Sequence, residues 1–343
     1  ETVMNAQTVE LGSSLAIAEM IRGGTTCFND NFCFPLSTRK VAIDSGIRSS
    51  IGLLIFNVQN LWSTNETDAL DQSKLILEQY HQSHPLISWT MAPHSPYTVS
   101  DEAFLRIKDL ANQYQLPIHL HLHETQAEID LSLKEYQMRP IERLNRLGLI
   151  DNKLIAVHMV HLNSTEIELI AEKKSHVVHN PQSNLKLGSG IAPIAAMLAA
   201  DINISVGTDS CASNNDLDLF AEMQTATLLC KGITQNPTIL PAHEALAMAT
   251  INAAQALGLE DKIGSIEVGK AADIIAVDTS DYWQQPIYNP IAHLVYSSNR
   301  LSVSDVWVNG NQLLKDHQLT TLDTDSLLAQ LALLTDEIKP FKN

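Results

Sequence analysis

The stretch Ser100-Asp-Glu-Ala-Phe-Leu-Arg-Ile-Lys-Asp-Leu-Ala-Asn-Gln-Tyr114 has the apolar spacing of an amphipathic helix. Ser100 suits the position before the first turn, where its hydroxyl can accept a hydrogen bond from a free backbone N–H. The following stretch, Pro117-Ile-His-Leu-His-Leu-His123, alternates in the way that is typical of a strand. A helix that leads into a strand is the connection that joins neighbouring strands of a parallel sheet.

This alternation of strands and helices recurs over the first 210 residues. Seven short apolar runs fit strands: residues 25–30, 50–56, 86–94, 117–123, 154–161, 176–180 and 202–208. A closed barrel of this kind needs eight strands. The sequence therefore predicts an α/β fold, a (β/α)8 TIM-type barrel that lacks its first strand. Because the chain begins inside a predicted helix, residues 5–22, we expect a longer polypeptide to precede it and to supply that strand.

The pattern changes after residue 210. Helical stretches continue to about residue 257, and apolar alternation returns in residues 264–277 and 303–314. Asn309-Gly310, inside the second of these segments, is a strong signal for a hairpin turn. We predict a barrel over residues 1–260. Over residues 261–343 we predict a small β appendage, one part of a composite β-sandwich, with a tail helix.

Composition and charge narrow the class of protein. The 343 residues are 45% hydrophobic with a mean hydropathy of −0.03, which is enough to bury a large core. Asp and Glu outnumber Lys and Arg by 39 to 22, and the net charge of −17 argues against binding to nucleic acid or to an anionic membrane. No apolar run approaches the ~20 residues of a membrane span. Four scattered cysteines, without the spacing of a metal knuckle, favour a cytoplasmic protein.

Histidine or acidic residues stand at the ends of five consecutive predicted strands. Barrel enzymes carry their reactive groups at the carboxyl ends of the strands. Each buried polar group needs its own partner, so packing alone is a poor explanation for five such ends. The residues concerned are His94, His121 with His123 and Glu124, His158 with His161, His179, and Asp209.

The triplet His119, His121 and His123 is the densest of these positions. With a period of two, all three side chains face one way. Only the residues nearest the strand end reach the site, so His121 or His123 is a candidate metal ligand and His119 is a core residue. The spacing alone does not choose between His121 and His123.

Two carboxylates complete the candidate site. Glu124 either turns back toward a metal or is the acidic first-turn residue of the next helix. Asp209 ends an apolar strand, where a nearby cation would keep it ionised. Imidazole and carboxylate ligands with an open position suit zinc, with iron as the alternative.

Seven longer motifs extend over essentially the whole chain: Leu15-Ala-Ile-Ala-Glu-Met-Ile-Arg-Gly-Gly-Thr-Thr-Cys-Phe-Asn-Asp30, Ala92-Pro-His-Ser-Pro-Tyr-Thr-Val-Ser-Asp101, His121-Leu-His-Glu124, Val157-His-Met-Val-His-Leu162, Asn180-Pro-Gln-Ser-Asn-Leu-Lys-Leu187, Gly207-Thr-Asp-Ser-Cys-Ala-Ser-Asn-Asn-Asp-Leu-Asp218 and Gly264-Ser-Ile-Glu-Val-Gly-Lys-Ala-Ala-Asp273. Through these motifs the sequence resembles the amidohydrolase superfamily. Within it, the sequence is similar to the methylthioadenosine/S-adenosylhomocysteine deaminase group, which is related to the triazine hydrolases.

The resemblance implies a metal site and three catalytic residues. His121 and Asp209 would be ligands of one divalent metal, Zn2+ or alternatively Fe2+. Glu124 would shuttle protons, and His158 and Asp209 would be the other catalytic residues. The first-strand His-x-His pair that completes the family's ligand set is absent from this sequence.

The implied reaction is the hydrolytic deamination of an adenosine-type nucleoside to the inosine analogue plus ammonia by a metal-bound hydroxide. The substrate would be methylthioadenosine, S-adenosylhomocysteine or adenosine, contacted by His94, Glu124 and Ser213. Residues 51–93 contain no arginine to hold a homocysteine carboxylate, which favours methylthioadenosine or adenosine. The resemblance also implies a homodimer or larger homo-oligomer.

Two alternatives stay open from the sequence. One is another aminohydrolase or chlorohydrolase of the same superfamily, acting on guanine, a pterin or a triazine, because specificity lies in the loops of a fold. The other is a non-catalytic fragment, since the chain lacks two ligands and a strand. The retained set of His121, Glu124, His158 and Asp209 favours an enzyme.

Overall fold

A seven-stranded parallel sheet forms the larger part of the protein. The computed structural model describes residues 4–338. Neighbouring strands follow chain order, and the sheet curls into a partial barrel. The prediction of a TIM-type barrel lacking one strand is confirmed for these residues. The strands are β1 (Cys27–Asn29), β2 (Arg48–Ile55), β3 (Ile87–Pro93), β4 (Ile118–Leu122), β5 (Leu154–His158), β6 (His176–His179) and β7 (Ile204–Val206).

Helices connect successive strands. Ser100 directly precedes the helix Asp101–Tyr114. Its hydroxyl accepts a hydrogen bond from the N–H of Ala103 at 3.2 Å, which confirms the predicted cap. The helices are α1 (Ala6–Arg22), α2 (Pro35–Ser45), α3 (Glu66–Tyr80), α4 (Asp101–Tyr114), α5 (Gln126–Tyr136), α6 (Pro140–Leu147), α7 (Ser164–Lys173), α8 (Pro181–Lys186), α9 (Ile194–Ala199), α10 (Leu219–Thr234), α11 (Ala242–Met248), α12 (Ile251–Ala256), α13 (Pro290–Tyr296) and α14 (Thr324–Ile338), with short 3-10 turns at Tyr282–Gln284 and Arg300–Ser302.

The core lies where the sheet meets these helices. Every residue of β2 and of β5 is buried, as expected for parallel strands that are covered on both faces. Phe104 and Ile107 of α4 are buried in the same core as Trp89 of β3. No helix within residues 4–338 is both long and apolar enough to cross a membrane.

A separate antiparallel sheet follows the barrel. Its order is β11-β10-β9-β8, with β8 (Ile274–Val277), β9 (Val303–Val308), β10 (Asn311–Lys315) and β11 (Gln318–Leu319). The hairpin at Asn309-Gly310 is confirmed, and both residues have positive φ, 49° and 79°, as a tight hairpin turn requires. The predicted strand over residues 264–277 is wrong outside β8, because Gly264 and Gly269 turn the chain with φ of 92° and 99°.

A buried ion pair joins this second sheet to the barrel. Arg48 at the start of β2 is 4% exposed, and its Nε and Nη2 donate to the carboxylate of Asp273 at 2.6 and 2.9 Å. Valines of β9 belong to the same core as the barrel strands. The boundary at residue 260 and the composite β-sandwich stay predictions, and residues 339–343 lie outside the described residues.

Candidate active site

His121 lies on β4, and its ring faces a cavity inside the barrel. Its Nδ1 is 2.7 Å from the carbonyl oxygen of His94, which can only accept a hydrogen bond. Nδ1 therefore carries the proton and Nε2 keeps its lone pair. Burial lowers the pKa of His121, which favours the neutral ring. This is the tautomer and second hydrogen bond that metal-ligating imidazoles have.

The other two histidines of the triplet diverge. His119 is half-buried and lines the same cavity as His121, so the prediction that it is a core residue out of reach of the site is wrong. The prediction that all three share one face is wrong for His123, because β4 ends one residue earlier and the φ of His123 is 54°. Its ring is fully buried, with Nδ1 3.1 Å from the carbonyl oxygen of His161 and Nε2 3.2 Å from the N–H of Ile141. Both ring nitrogens are engaged, so His123 is not a metal ligand.

Glu124 stands just beyond the end of β4 and is half-buried. Its Oε2 lies 3.8 Å from Nε2 of His158, and its Oε1 accepts from Oγ of Ser189 at 3.2 Å. The alternative placement of Glu124 in the first turn of the next helix is wrong, because α5 begins at Gln126 and its first-turn acid is Glu128. Glu124 is turned toward the strand ends instead.

His158 ends β5 and is 1% exposed. Its Nδ1 donates to Oδ1 of Asn184 at 2.8 Å, which leaves Nε2 as the ring nitrogen that faces Glu124. The ring stacks on that of His121 with a centroid distance of 5.6 Å and an interplanar angle of 29°. His121, Glu124 and His158 therefore form one group.

Asp209 follows β7 and is half-buried. Its Oδ2 accepts from the hydroxyls of Ser183 and Ser213, both at 2.6 Å, and its Oδ1 accepts from the N–H of Ser210 at 2.7 Å. Burial raises the pKa of Asp209, but the hydrogen bonds from Ser183, Ser213 and Ser210, together with the nearby ring of His158, outweigh it and leave the pKa below its ordinary value. These contacts favour the ionised form of Asp209.

His94 directly follows β3 and lies beside His121, with ring centroids 5.3 Å apart. Its Nδ1 lies 3.1 Å from the hydroxyl oxygens of both Ser95 and Thr98. Burial, reinforced by His121, lowers the pKa of His94 to about 4, so the ring is neutral near pH 7. Its Nε2 is the nitrogen left to meet a ligand.

A cavity of about 660 Å³ has both His121 and Asp209 in its wall. This volume is within the range of small-molecule sites, roughly 300–1,000 Å³. Within residues 4–338, no three His, Cys, Asp or Glu side chains are arranged to hold a metal ion. The donors present, one neutral imidazole and one carboxylate, nevertheless fit part of a zinc site by type. The six predicted site residues either contact one another or share the wall of this cavity: His94, His121, Glu124, His158, Asp209 and Ser213.

Sequence reasoning missed the residues that orient this group. Ser183 and Asn184 lie in one of the motifs quoted above. The sequence does not show, however, that Ser183 bonds Asp209 or that Asn184 bonds His158. Glu222 lies outside the quoted motifs, and no signal in the sequence pointed to it.

Glu222 on α10 is fully buried and links the first turn of α8 to the loop that follows β7. Its Oε1 accepts from Nδ2 of Asn214 at 2.6 Å, and its Oε2 accepts from the N–H of Gln182 at 3.3 Å. Asn214 also donates to the carbonyl oxygen of Thr208, which fixes the loop that carries Asp209. Burial raises the pKa of Glu222 to about 8, although these hydrogen bonds oppose the shift.

Glu222→Gln is expected to change how stability depends on pH. Between the ordinary pKa of 4.5 and the folded value of about 8, the folded protein holds a proton on Glu222 that the unfolded chain has lost. The stability from this group is full below the lower value and declines as the pH rises toward the higher one, by about 1.4 kcal/mol per pH unit. Urea unfolding between about pH 5 and pH 8 should show this slope in the wild type relative to the variant. Parallel curves would mean that Glu222 is ionised throughout.

The fold and the site together define a class of protein. A parallel barrel that gathers imidazole and carboxylate side chains at the carboxyl ends of its strands is typical of metal-dependent barrel hydrolases. The chain belongs to the amidohydrolase family, whose model matches residues 1–313.

Individual relatives agree with this assignment. The chain is 42% identical over 321 residues to the 5-methylthioadenosine/S-adenosylhomocysteine deaminase of Teredinibacter turnerae. The alignment covers 94% of this chain and 72% of that protein. The crystal structure of an adenosine deaminase from Xanthomonas campestris with bound zinc matches this chain with a TM-score of 0.96 and 43% identity. The match covers 99% of this chain and 77% of the deaminase chain. An atrazine chlorohydrolase from Arthrobacter aurescens, complexed with zinc, has a TM-score of 0.90 at 24% identity and covers 96% and 77%, a likeness of fold alone. The resemblance found in the sequence is confirmed.

Proposed function

We propose that this protein removes the amino group of an adenosine-type nucleoside by hydrolysis, giving the inosine analogue and ammonia. The observation that carries the proposal is the group of His121, Glu124 and His158 at the strand ends, with Asp209 in the wall of the same cavity as His121. Two relatives support it: a 42%-identical protein named for methylthioadenosine and S-adenosylhomocysteine, and a 43%-identical adenosine deaminase.

One zinc ion is part of this proposal, held in part by His121 and Asp209. The neutral imidazole of His121, with Nε2 available, and the ionised carboxylate of Asp209 are donors that zinc prefers. Fe2+ is the alternative metal for the same donors. When bound, the metal makes water acidic enough to serve as a nucleophile near neutral pH.

Three side chains would hold and move protons during the reaction. Asp209 accepts a proton from the attacking water. Glu124, protonated at the start, protonates the ring nitrogen beside the amino-bearing carbon, then takes the proton of the added hydroxyl and passes it to the departing ammonia. Asp209 returns its proton to Glu124, which restores both carboxyl groups. His158 presents Nε2 to the reacting centre, since Asn184 binds its Nδ1–H. Each general acid–base step contributes roughly 10²–10⁴-fold in rate.

His94 and Ser213 are the proposed contacts of the purine, together with Glu124. The neutral ring of His94 has Nε2 available for one hydrogen bond, whereas the hydroxyl of Ser213 already donates to Asp209 and can only accept from a substrate. Residues 51–93, which run from β2 to the end of β3, contain no arginine. We therefore propose methylthioadenosine or adenosine in preference to S-adenosylhomocysteine.

A substrate panel tests this proposal. Ammonia release is measured with adenosine, methylthioadenosine, S-adenosylhomocysteine, guanine and melamine at equal concentrations. We expect release from the first two, slower release from S-adenosylhomocysteine, and none from guanine or melamine. Release from guanine or melamine alone would make the protein another aminohydrolase, and release from none would refute the proposal.

We also infer the assembly and location of the protein. The exposed aromatic side chains of Tyr282, Trp283 and Tyr288 support self-association into a homodimer or larger homo-oligomer. The cysteines form no disulfide bond within residues 4–338, which supports a reducing, cytoplasmic location. A purine nucleoside, and not nucleic acid or a membrane, is the partner that we propose.

A further inference from the structure

His123, the member of the triplet that turns away from the cavity, is bonded through every polar atom it has. Its Nδ1–H donates to the carbonyl oxygen of His161 at 3.1 Å, and its Nε2 accepts from the N–H of Ile141 at 3.2 Å. Its backbone N–H donates to Oε1 of Glu128 at 3.0 Å. Its carbonyl oxygen accepts from the N–H groups of Val160 and His161, each at 3.0 Å.

These bonds join the segment after β4 to the segment after β5. Both segments contain left-handed backbone, with φ of 54° at His123, 76° at His158 and 50° at Met159. Such conformations are unfavourable for residues other than glycine and persist only where neighbouring groups hold them. The ring and carbonyl of His123 supply three of the bonds that hold the β5 segment.

We propose that His123 is a positioning residue that sets the placement of Glu124 relative to His158. The inference rests on the proposed function, in which these two side chains are catalytic. Glu124 directly follows His123 in the chain, and its Oε2 lies 3.8 Å from Nε2 of His158. A displacement of about 1 Å in such a pair is enough to lower a rate by about 10²-fold.

The ring of His123 is held by hydrogen bonds beside a charged pair. Nη2 of Arg139 and Oε2 of Glu166 lie 3.5 and 3.8 Å from Nδ1 of His123, and these two side chains pair with each other at 2.6 Å. Arg139 also donates to the carbonyl oxygen of His161, the same atom that accepts from the His123 ring. The carbonyl can only accept and the N–H of Ile141 can only donate, so the ring is the neutral Nδ1–H tautomer.

Three substitutions separate the two ring bonds of His123. His123→Asn places an amide N–H near the position of Nδ1, which keeps a donor for His161 and loses the acceptor for Ile141. His123→Gln places an amide oxygen near the position of Nε2, which does the reverse, and His123→Leu removes both. His176→Asn is the matched control, because His176 is a half-buried histidine at the start of β6 whose Nδ1 bonds Asn203 at 2.8 Å.

In the zinc-loaded protein we expect His123→Leu to lower kcat for adenosine by about 10²-fold with KM and zinc content unchanged. His123→Asn should exceed His123→Gln in kcat, because the bond to His161 is the one that reaches the β5 segment. His176→Asn should keep the wild-type kcat per bound zinc. A merely structural role would not produce this order, so equal kcat in the Asn and Gln variants would overturn the proposal, as would a wild-type kcat in His123→Leu.

Hydrogen–deuterium exchange distinguishes this inference from the proposed function. The amides of residues 158–162 should exchange faster in His123→Leu than in the wild type, and at the wild-type rate in His176→Asn. Hydrogen exchange does not depend on enzymatic activity. If the wild type releases no ammonia, the proposed function is refuted, but the exchange rates still decide the role of His123. Unchanged exchange in residues 158–162 would refute that role. If His123→Leu does not fold, faster exchange in His123→Gln than in His123→Asn is the expected result, and equal exchange contradicts it.

Discussion

Glu124→Gln is expected to lower kcat for nucleoside deamination by about 10²–10⁴-fold while the zinc content stays at the wild-type level. The amide has the size of the carboxylate, and its oxygen can still accept from Ser189, but it cannot take up and release a proton. His121 and Asp209, the proposed ligands, are unchanged. The loss should therefore fall on the chemical step and not on metal binding.

Ammonia release and zinc content, measured on the same sample of Glu124→Gln, check this expectation. Glu142→Gln is a matched control, since Glu142 lies on α6, is exposed and pairs with Arg146 at 2.7 Å. It should keep the wild-type rate. A normal rate in Glu124→Gln would remove Glu124 from the proton transfers, and loss of zinc would place its role at the metal instead.

Asp209→Asn should lose both zinc and activity. The change removes a negative charge and sets an amide against the hydroxyls of Ser183 and Ser213, which donate to Oδ2 at 2.6 Å in the wild type. Zinc affinity should fall by more than the roughly 10–100-fold that is typical for residues that only support a ligand. The rate should fall as well, because an amide cannot accept the proton of the attacking water.

Competition with a chelator gives the zinc affinity of Asp209→Asn, and ammonia release gives its rate. Asp201→Asn is the control: Asp201 is exposed in the turn before β7, and its φ of 58° suits asparagine equally well. Wild-type zinc affinity in Asp209→Asn would show that Asp209 is not a ligand. Retained zinc with a lost rate would limit Asp209 to the proton transfer.

The barrel could be predicted from the sequence because each of its strands is a short apolar run between helical patterns. β5, buried at all five residues, is such a run. The expectation fails at residues 264–277, where apolar alternation is present but only Ile274–Val277 pairs. Ile266 and Val268 stay almost fully exposed, because the glycines on either side have positive φ and turn the chain away from a partner strand.

The location of the predicted site residues follows from topology, because the carboxyl ends of parallel barrel strands meet on one face. Their hydrogen-bond partners do not follow. Asn184 reaches His158 and Ser183 reaches Asp209 from α8, 26 residues away along the chain in each case. His123 leaves the face of its neighbours because one backbone φ changes sign, which the alternation of side chains does not reveal.

Anomalous diffraction at the zinc absorption edge, from crystals of the zinc-loaded protein, tests most directly whether His121 and Asp209 meet at one metal ion beside Glu124. We expect one strong peak about 2.0–2.2 Å from both Nε2 of His121 and a carboxylate oxygen of Asp209. A peak at other side chains would contradict the proposed metal site and the deaminase reaction that depends on it. A peak that is not bonded to both His121 and Asp209 would contradict them as well.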